Sequence, residues 1–204
     1  NIKPMSVINE SRDTTHYSIV DSEGNAVSNT YTLGYSFGSG VTIPGTGILM
    51  NNQMNNFAYR YGDSSVDGRA ASPANRFEAG KRPMSTMTPT MVFNQAGELM
   101  LVTGSPGGSF IPAAVLRVVS GVIDFDLNIG EATMLPRIHK DWPYSGLDHE
   151  SILSSDIARQ LGIMGHKPES QKTMGSTQSI HIKKGINYGY ADLRRPGAGV
   201  STQR

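Results

Sequence analysis

Apolar and polar residues in the first half of this chain alternate over short stretches and show no sustained helical period. Thr15 to Val20 (THYSIV) is rich in β-branched and aromatic residues and runs into Asp21-Ser22-Glu23-Gly24-Asn25, which has the composition of a tight turn. Ala26 to Leu33 (AVSNTYTL) is strand-like again, so residues 15–33 are predicted to form a β-hairpin entering a sheet. Gly34 to Gly47 holds five glycines and a proline, too many for a regular element, and reads as a loop. Ile48 to Met50 resumes a short apolar strand, followed by amides in a row from Asn51 to Asn56.

Residues 59–82 form a long polar segment with Gly, Ser and Pro scattered through it, as expected of a surface loop or a lid. A second hairpin is predicted from Thr90-Met91-Val92-Phe93, a turn at Asn94 to Gly97, and Glu98 to Thr103. Phe110 to Phe125 is apolar on most faces, the sign of a helix buried between layers, with Pro112 in its first turn where a missing amide hydrogen costs little. Shorter helices are predicted over Asn128 to Leu135 and Ser151 to Leu161, the latter from Ile152, Leu153, Ile157 and Leu161 at helical spacing with Gly162 near its end. Trp142 to Gly146 reads as a turn-rich loop. Gln178 to Lys183 and Tyr188 to Ala191 read as a closing strand pair before a Gly/Arg-rich tail. Strands, then helices, then strands again give an α+β layered sandwich.

Composition narrows the possibilities. At 204 residues and 37% hydrophobic content the chain is long enough for one domain with a sizeable core. A formal charge of +1, with no segment concentrating Lys and Arg, supplies no field for nucleic acid. No apolar run approaches the ~20 residues of a membrane span. Cysteine is absent, which excludes thiol catalysis and disulfides, and the five histidines (His16, His139, His149, His166, His181) show no metal-ligand spacing. Neither a metal nor an organic cofactor is expected.

The candidate chemistry lies at the start of the first strand. A threonine at a chain terminus carries a hydroxyl nucleophile and an α-amine of near-neutral pKa that can act as its base. Thr14 is internal as written, so the Asp13–Thr14 bond would have to be cut first, by attack of the hydroxyl on the Asp13 carbonyl and hydrolysis of the resulting ester. Acyl transfer also needs donors for the tetrahedral oxyanion. Gly107-Gly108, after a proline and ahead of the predicted helix, offer two backbone amides.

Six motifs in order, TTHYSIVDSEGNAV, TYTL, GTGILMNNQM, KRPMSTMTPT, VTGSPGGS and MGSTQSI, resemble the small subunit of the γ-glutamyltransferase (γ-glutamyltranspeptidase) family over Glu10 to about Arg195. The resemblance implies an N-terminal nucleophile hydrolase fold, an αββα sandwich, whose precursor cuts itself before the first threonine of TTHYS. Residues 1–13 would then be the end of the large-subunit region or a linker, and 14–204 the catalytic small-subunit domain. It implies Thr14 as nucleophile, Thr32 as a second threonine holding it, and Gly107 and Gly108 as the oxyanion pair. Ser85 and Thr86 would hold the substrate α-carboxylate, with Thr where Ser is usual, and Gln53 the α-amino group. It further implies a large-subunit partner, a γ-glutamyl amide such as glutathione as substrate, and a periplasmic or secreted location.

Two positions depart from the family pattern. Gly34 stands where an asparagine is common, and Asn56 where an aspartate binds the substrate α-ammonium. Loss of that charge points toward glutaryl amides, as in the cephalosporin-acylase branch of the family. An inactive, unprocessed fragment is the remaining reading.

Overall fold

A computed structural model describes residues 14–58, 73–141, 146–171 and 173–202. Its first element is the predicted hairpin, β1 (Thr15–Val20) against β2 (Ala26–Tyr31), with Thr15 opposite Tyr31 and Val20 opposite Ala26. The turn between them is held by Asp21, whose carboxylate accepts from the amides of Glu23 and Asn25 at 2.9 and 2.8 Å. The Asn25 side chain also donates to it at 2.8 Å, and that bond, followed by the backbone amides, holds the exposed Asp21 carboxyl below its ordinary pKa.

A four-stranded antiparallel sheet forms the centre, in the order β3 (Thr90–Phe93), β4 (Leu99–Thr103), β8 (Gln178–Lys183), β9 (Ile186–Ala191). Helices α1 (Ile111–Ile123) and α2 (Ile129–Met134) pack on it through Leu101, Val118, Val122, Ile129 and Ala132, all at or below 5% exposure. Burying the Leu, Val and Ile side chains is worth about 1.5–3 kcal/mol each. α2 begins with a reciprocal cap: Asn128 accepts from the Glu131 amide at 2.9 Å, and Glu131 accepts from the Asn128 amide at 3.1 Å. The hairpin β1–β2 reaches the sheet through two serines. Ser18 donates to the Gln178 carbonyl at 2.8 Å and Ser28 to the Thr103 carbonyl at 2.9 Å.

A third sheet was not foreseen: β5 (Ile138–His139), β6 (Gly146–Glu150) and β7 (Lys167–Gln171), with β6 and β7 parallel. Parallel neighbours need a crossover, and α3 (Ser155–Ile163) supplies it. The expected helix start at Ser151 moves to Ser155, because Ser151 still bonds to Gln171 of β7 and Ser154 is the N-cap. The expected apolar stripe is not a buried one, with Ile152 60% and Ile157 50% exposed. The expected strand at Ile48 to Met50 is reduced to a single bridge, Thr42 with Leu49, since residues 34–50 fold back on themselves. Most of the expected lid and most of the Trp142 loop lie outside the described residues, as do residues 1–13.

Four charged side chains lock the sheets together. Arg137, 1% exposed, meets the fully buried Asp192 at 2.6 Å, and Arg194 grips Glu150 with two bonds of 2.6 and 2.7 Å. Arg137 also donates to the Met174 carbonyl, and Arg194 to the carbonyls of Thr133 and Leu135. Burial opposes the charged form of Asp192, but Arg137 and the backbone amides of Arg194 and Thr177 outweigh it and hold the carboxyl below its ordinary pKa. The cluster joins the end of α2, the start of β5, the end of β6 and the segment after β9.

Two cations and two anions cancel, so loss of one leaves a buried charge exposed to no water. Arg137→Met should lower stability by about 3–5 kcal/mol in urea unfolding. Arg137→Met together with Asp192→Leu should cost less than the single change, because the stranded carboxylate is then gone.

Candidate active site

Thr14 immediately precedes β1 and is 5% exposed. The hairpin register, carried one residue outward, sets Thr14 opposite Thr32, which lies just beyond the end of β2. The Thr32 hydroxyl oxygen accepts from the Gly34 amide at 2.9 Å. Gly34 has φ +95°, a conformation that suits glycine, and a Cβ there would overlap the Asn52 carboxamide, which accepts from the Tyr35 amide at 3.1 Å. The residue that departs from expectation is therefore required by the backbone, and Asn52 fills the space a side chain would take.

The amide run that follows is a single 3-10 turn, Gln53–Asn56. Side chains at i and i+3 eclipse in such a turn, which brings Asn56 Nδ2 to 2.6 Å from Gln53 Oε1. Asn75, which the sequence reading missed, donates to the Asn56 carbonyl at 2.7 Å and accepts from the Met84 amide at 3.0 Å. It thus couples the amide turn to Ser85 and Thr86. These two hydroxyls are not equivalent. Ser85 accepts from the Met87 amide at 3.1 Å and among the described residues gives its own hydrogen to no partner, whereas Thr86 spends its hydrogen on the Gly108 carbonyl at 2.8 Å.

The loop from Gly104 to Gly108 closes the circuit. Gly107, at φ +135°, sits with the position of a would-be Cβ 2.9 Å from the Gly175 Cα, so only glycine fits there. Ser105 is buried and accepts from the Ser176 amide at 2.8 Å, holding the loop from beneath. Gly108 opens a 3-10 turn, Gly108–Phe110, that leads directly into α1. Among the described residues neither the Gly107 nor the Gly108 amide donates a hydrogen bond. Unspent amides at the start of a helix suit a developing negative charge.

His16, two residues after Thr14, packs against this loop, and nothing local in the sequence marks it for that role. Its ring lies against Gly104, where a Cβ would overlap it, and its nitrogens meet the Thr30 hydroxyl at 2.7 Å and the Ser18 hydroxyl at 3.1 Å. Burial lowers its pKa from the ordinary 6.5 to about 4, so the ring is neutral at pH 7. Arg195, from the tail after β9, donates to the Thr14 carbonyl at 2.9 Å. The expected site residues other than Asp13, which lies outside the described residues, are thus related by hydrogen bonds, packing contacts, strand register and short runs of chain. Among the described residues no group of three or more His, Cys, Asp or Glu side chains could hold a metal ion.

The family model described as Gamma-glutamyltranspeptidase matches residues 1–202. The glutathione hydrolase proenzyme of Escherichia coli (strain K12) is 46% identical over 186 residues, 91% of this chain and 32% of the relative. The glutathione hydrolase proenzyme of Pseudomonas aeruginosa is 39% identical over 197 residues, 94% of this chain and 35% of the relative. The chain spans about a third of the length of these curated relatives. Among solved structures, an alanine mutant of Helicobacter pylori gamma-glutamyltranspeptidase is similar at TM-score 0.83 and 41% identity, over 89% of this chain and 100% of that one. A cephalosporin acylase from Bacillus halodurans is similar at TM-score 0.76 and 27% identity, over 97% of this chain and 37% of that one.

The His16 environment sets a pH dependence. Because its pKa is lower in the folded protein than in the unfolded chain, the unfolded chain takes up a proton first on acidification. Stability should be full above pH 6.5, fall as pH drops toward about 4, and level off below, a loss of up to about 3 kcal/mol. His16→Asn should flatten that part of the profile in denaturation experiments run at stepped pH.

Proposed function

This chain belongs to the gamma-glutamyltranspeptidase family, and on that premise we propose that it is the catalytic portion of a proenzyme that transfers γ-glutamyl groups from amides such as glutathione to water or to amines. Its α+β fold matches an entire chain of a solved member of the family at a TM-score of 0.83. The observation that carries the reading is the packing of the His16 ring, two residues after Thr14, against Gly104, three residues before Gly107, since a nucleophile and an oxyanion site are useful only when their segments are fixed against each other.

In the proposed cycle the Thr14 hydroxyl first attacks the Asp13 carbonyl, and hydrolysis of the ester frees a terminal threonine. The new α-amine then accepts the hydroxyl proton as Thr14 attacks the γ-amide carbonyl. Gly107 and Gly108 bind the oxyanion with their free amides. Collapse expels the amine of the leaving group and leaves an acyl ester on Thr14, which water or an acceptor amine cleaves. Ser85 offers a hydrogen to the substrate carboxylate. Thr86 holds the Gly108 carbonyl, so it orients the oxyanion loop as well as the carboxylate end of the site. The partner is the remaining two thirds of the same proenzyme, the large subunit.

A second reading, preference for glutaryl amides, is favoured by one contact. Asn56 is neutral and gives its amide hydrogen to Gln53, so this turn offers no carboxylate to a substrate α-ammonium. Similarity to a cephalosporin acylase agrees with it. A charge-assisted bond to an ammonium is worth about 1.5–3 kcal/mol.

Thr14→Ala in the complete proenzyme should leave the Asp13–Thr14 bond intact by mass spectrometry and abolish turnover of a γ-glutamyl anilide. Cleavage and turnover that both persist would overturn the reading. Asn56→Asp should raise kcat/KM for a γ-glutamyl anilide relative to its glutaryl analogue by about 10- to 100-fold.

A further inference from the structure

We infer that Arg195 is a positioning residue for Thr14, orienting the nucleophile through its backbone carbonyl and setting a positive charge beside its amine. This rests on the reading of Thr14 as a terminal nucleophile. The observation is the 2.9 Å bond from Arg195 Nη1 to the Thr14 carbonyl, made across 181 residues of sequence.

Arg195 does not reach this carbonyl from a loose tail. The preceding residue, Arg194, is fastened by its guanidinium to Glu150, Asp192, Thr133 and Leu135, and its amide donates to Asp192 at 3.0 Å. Pro196 follows and restricts the backbone on the other side. The guanidinium is therefore delivered from a rigid base, the condition for a contact that holds its partner in place. It also forms part of the wall of a cavity of about 330 Å3 lined by Thr15, Ser18, Ser176, Gln178 and Gly197.

Two effects on chemistry follow. First, a threonine freed at its N-terminal side keeps rotational freedom in its backbone. A charged donor on its carbonyl removes much of that freedom and so keeps the amine and hydroxyl in one relation to the Gly107-Gly108 loop. Second, the carbonyl oxygen and α-nitrogen of one residue are only about 3–4 Å apart, so the guanidinium stands within roughly 7 Å of the amine. A like charge at that range disfavours the ammonium form, and the amine must be unprotonated to act as base.

The other charged groups nearby do not duplicate this. His16, on the same strand, is neutral, and Arg137, Asp192, Arg194 and Glu150 cancel as a set. Among the described residues Arg195 has no carboxylate partner. Asp13, adjoining Thr14 in the precursor, is separated from the new terminus by the cut itself.

Three substitutions in the complete proenzyme separate the effects: Arg195→Lys keeps charge and donor, Arg195→Gln keeps a donor without charge, and Arg195→Ala keeps neither. Rates are normalised to the concentration of acyl-forming sites, so that incomplete maturation does not count as slow chemistry. Arg195→Ala should lower kcat about 10- to 100-fold with KM changed less than about 3-fold. The acid limb of the kcat/KM profile should move up by about half to one pH unit in Arg195→Gln and Arg195→Ala and stay in place in Arg195→Lys. Melting temperatures should remain close to that of the parent. A parent enzyme that is active, with an Arg195→Ala variant matching it in kcat and acid limb, overturns the inference alone. So does a loss in which Lys does no better than Ala and the acid limb does not move. A parent that forms no acyl-enzyme at Thr14 overturns the reading beneath it.

Discussion

The buried quartet of Arg137, Asp192, Arg194 and Glu150 is the constraint on which the remaining geometry depends. Bringing four charges out of water costs several kcal/mol each, and the cost is recovered only where every oxygen and most N–H groups find a partner at good distance. Here the partners are backbone groups at the ends of elements: the carbonyls of Thr133, Leu135 and Met174, and the amides of Arg137, Met174 and Thr177. An apolar core could pack these elements at several offsets. A charge cluster with directional bonds admits one, and so fixes the segment 174–177, which lies beneath Ser105 and Gly107, and the segment 192–195, which reaches Thr14.

The site itself contains little charge. Asn52 and Gln53, and Met84 and Thr86, are joined along the backbone, and between Thr32 and Gly108 the remaining links, through Gly34, Asn56 and Asn75, are neutral hydrogen bonds or a steric contact. Such links are individually worth about 1 kcal/mol. Their value is geometric, since a circuit of short links leaves each member few alternative positions. The neutral state of His16 belongs to the same economy, because a charged ring between Thr30 and Ser18 would need a counter-charge that no described neighbour supplies.

How much of this was readable in the sequence depends on the range over which each feature is encoded. The hairpins β1–β2 and β3–β4 were legible because β-branched runs and turn residues are adjacent in the chain. The pair β6–β7 was not, because Gly146-Leu147-Asp148-His149-Glu150 and Lys167-Pro168-Glu169-Ser170-Gln171 carry few apolar residues and are paired across a helix. Thr14, Gly107 and Gly108 stood out through local motifs and through the family resemblance those motifs carried. Asn75 and Arg195 did not, since each acts on a backbone group far along the chain, and nothing local marks a side chain that will meet a distant carbonyl. Gly34 shows in the sequence only as a missing side chain, and the Asn52 carboxamide that occupies the same space is visible only in three dimensions.

The bond between Arg195 and the Thr14 carbonyl also orders events during synthesis on the ribosome. Residue 195 is made 181 residues after residue 14, so β1 waits for that length of chain before its start is fastened. Contacts of such long sequence separation form late and slowly, after loop-closure entropy has been overcome. The carbonyl of Thr14 is thus fastened only after the 181 residues between it and Arg195 have been made, so the start of β1 takes its final position on a scaffold already built.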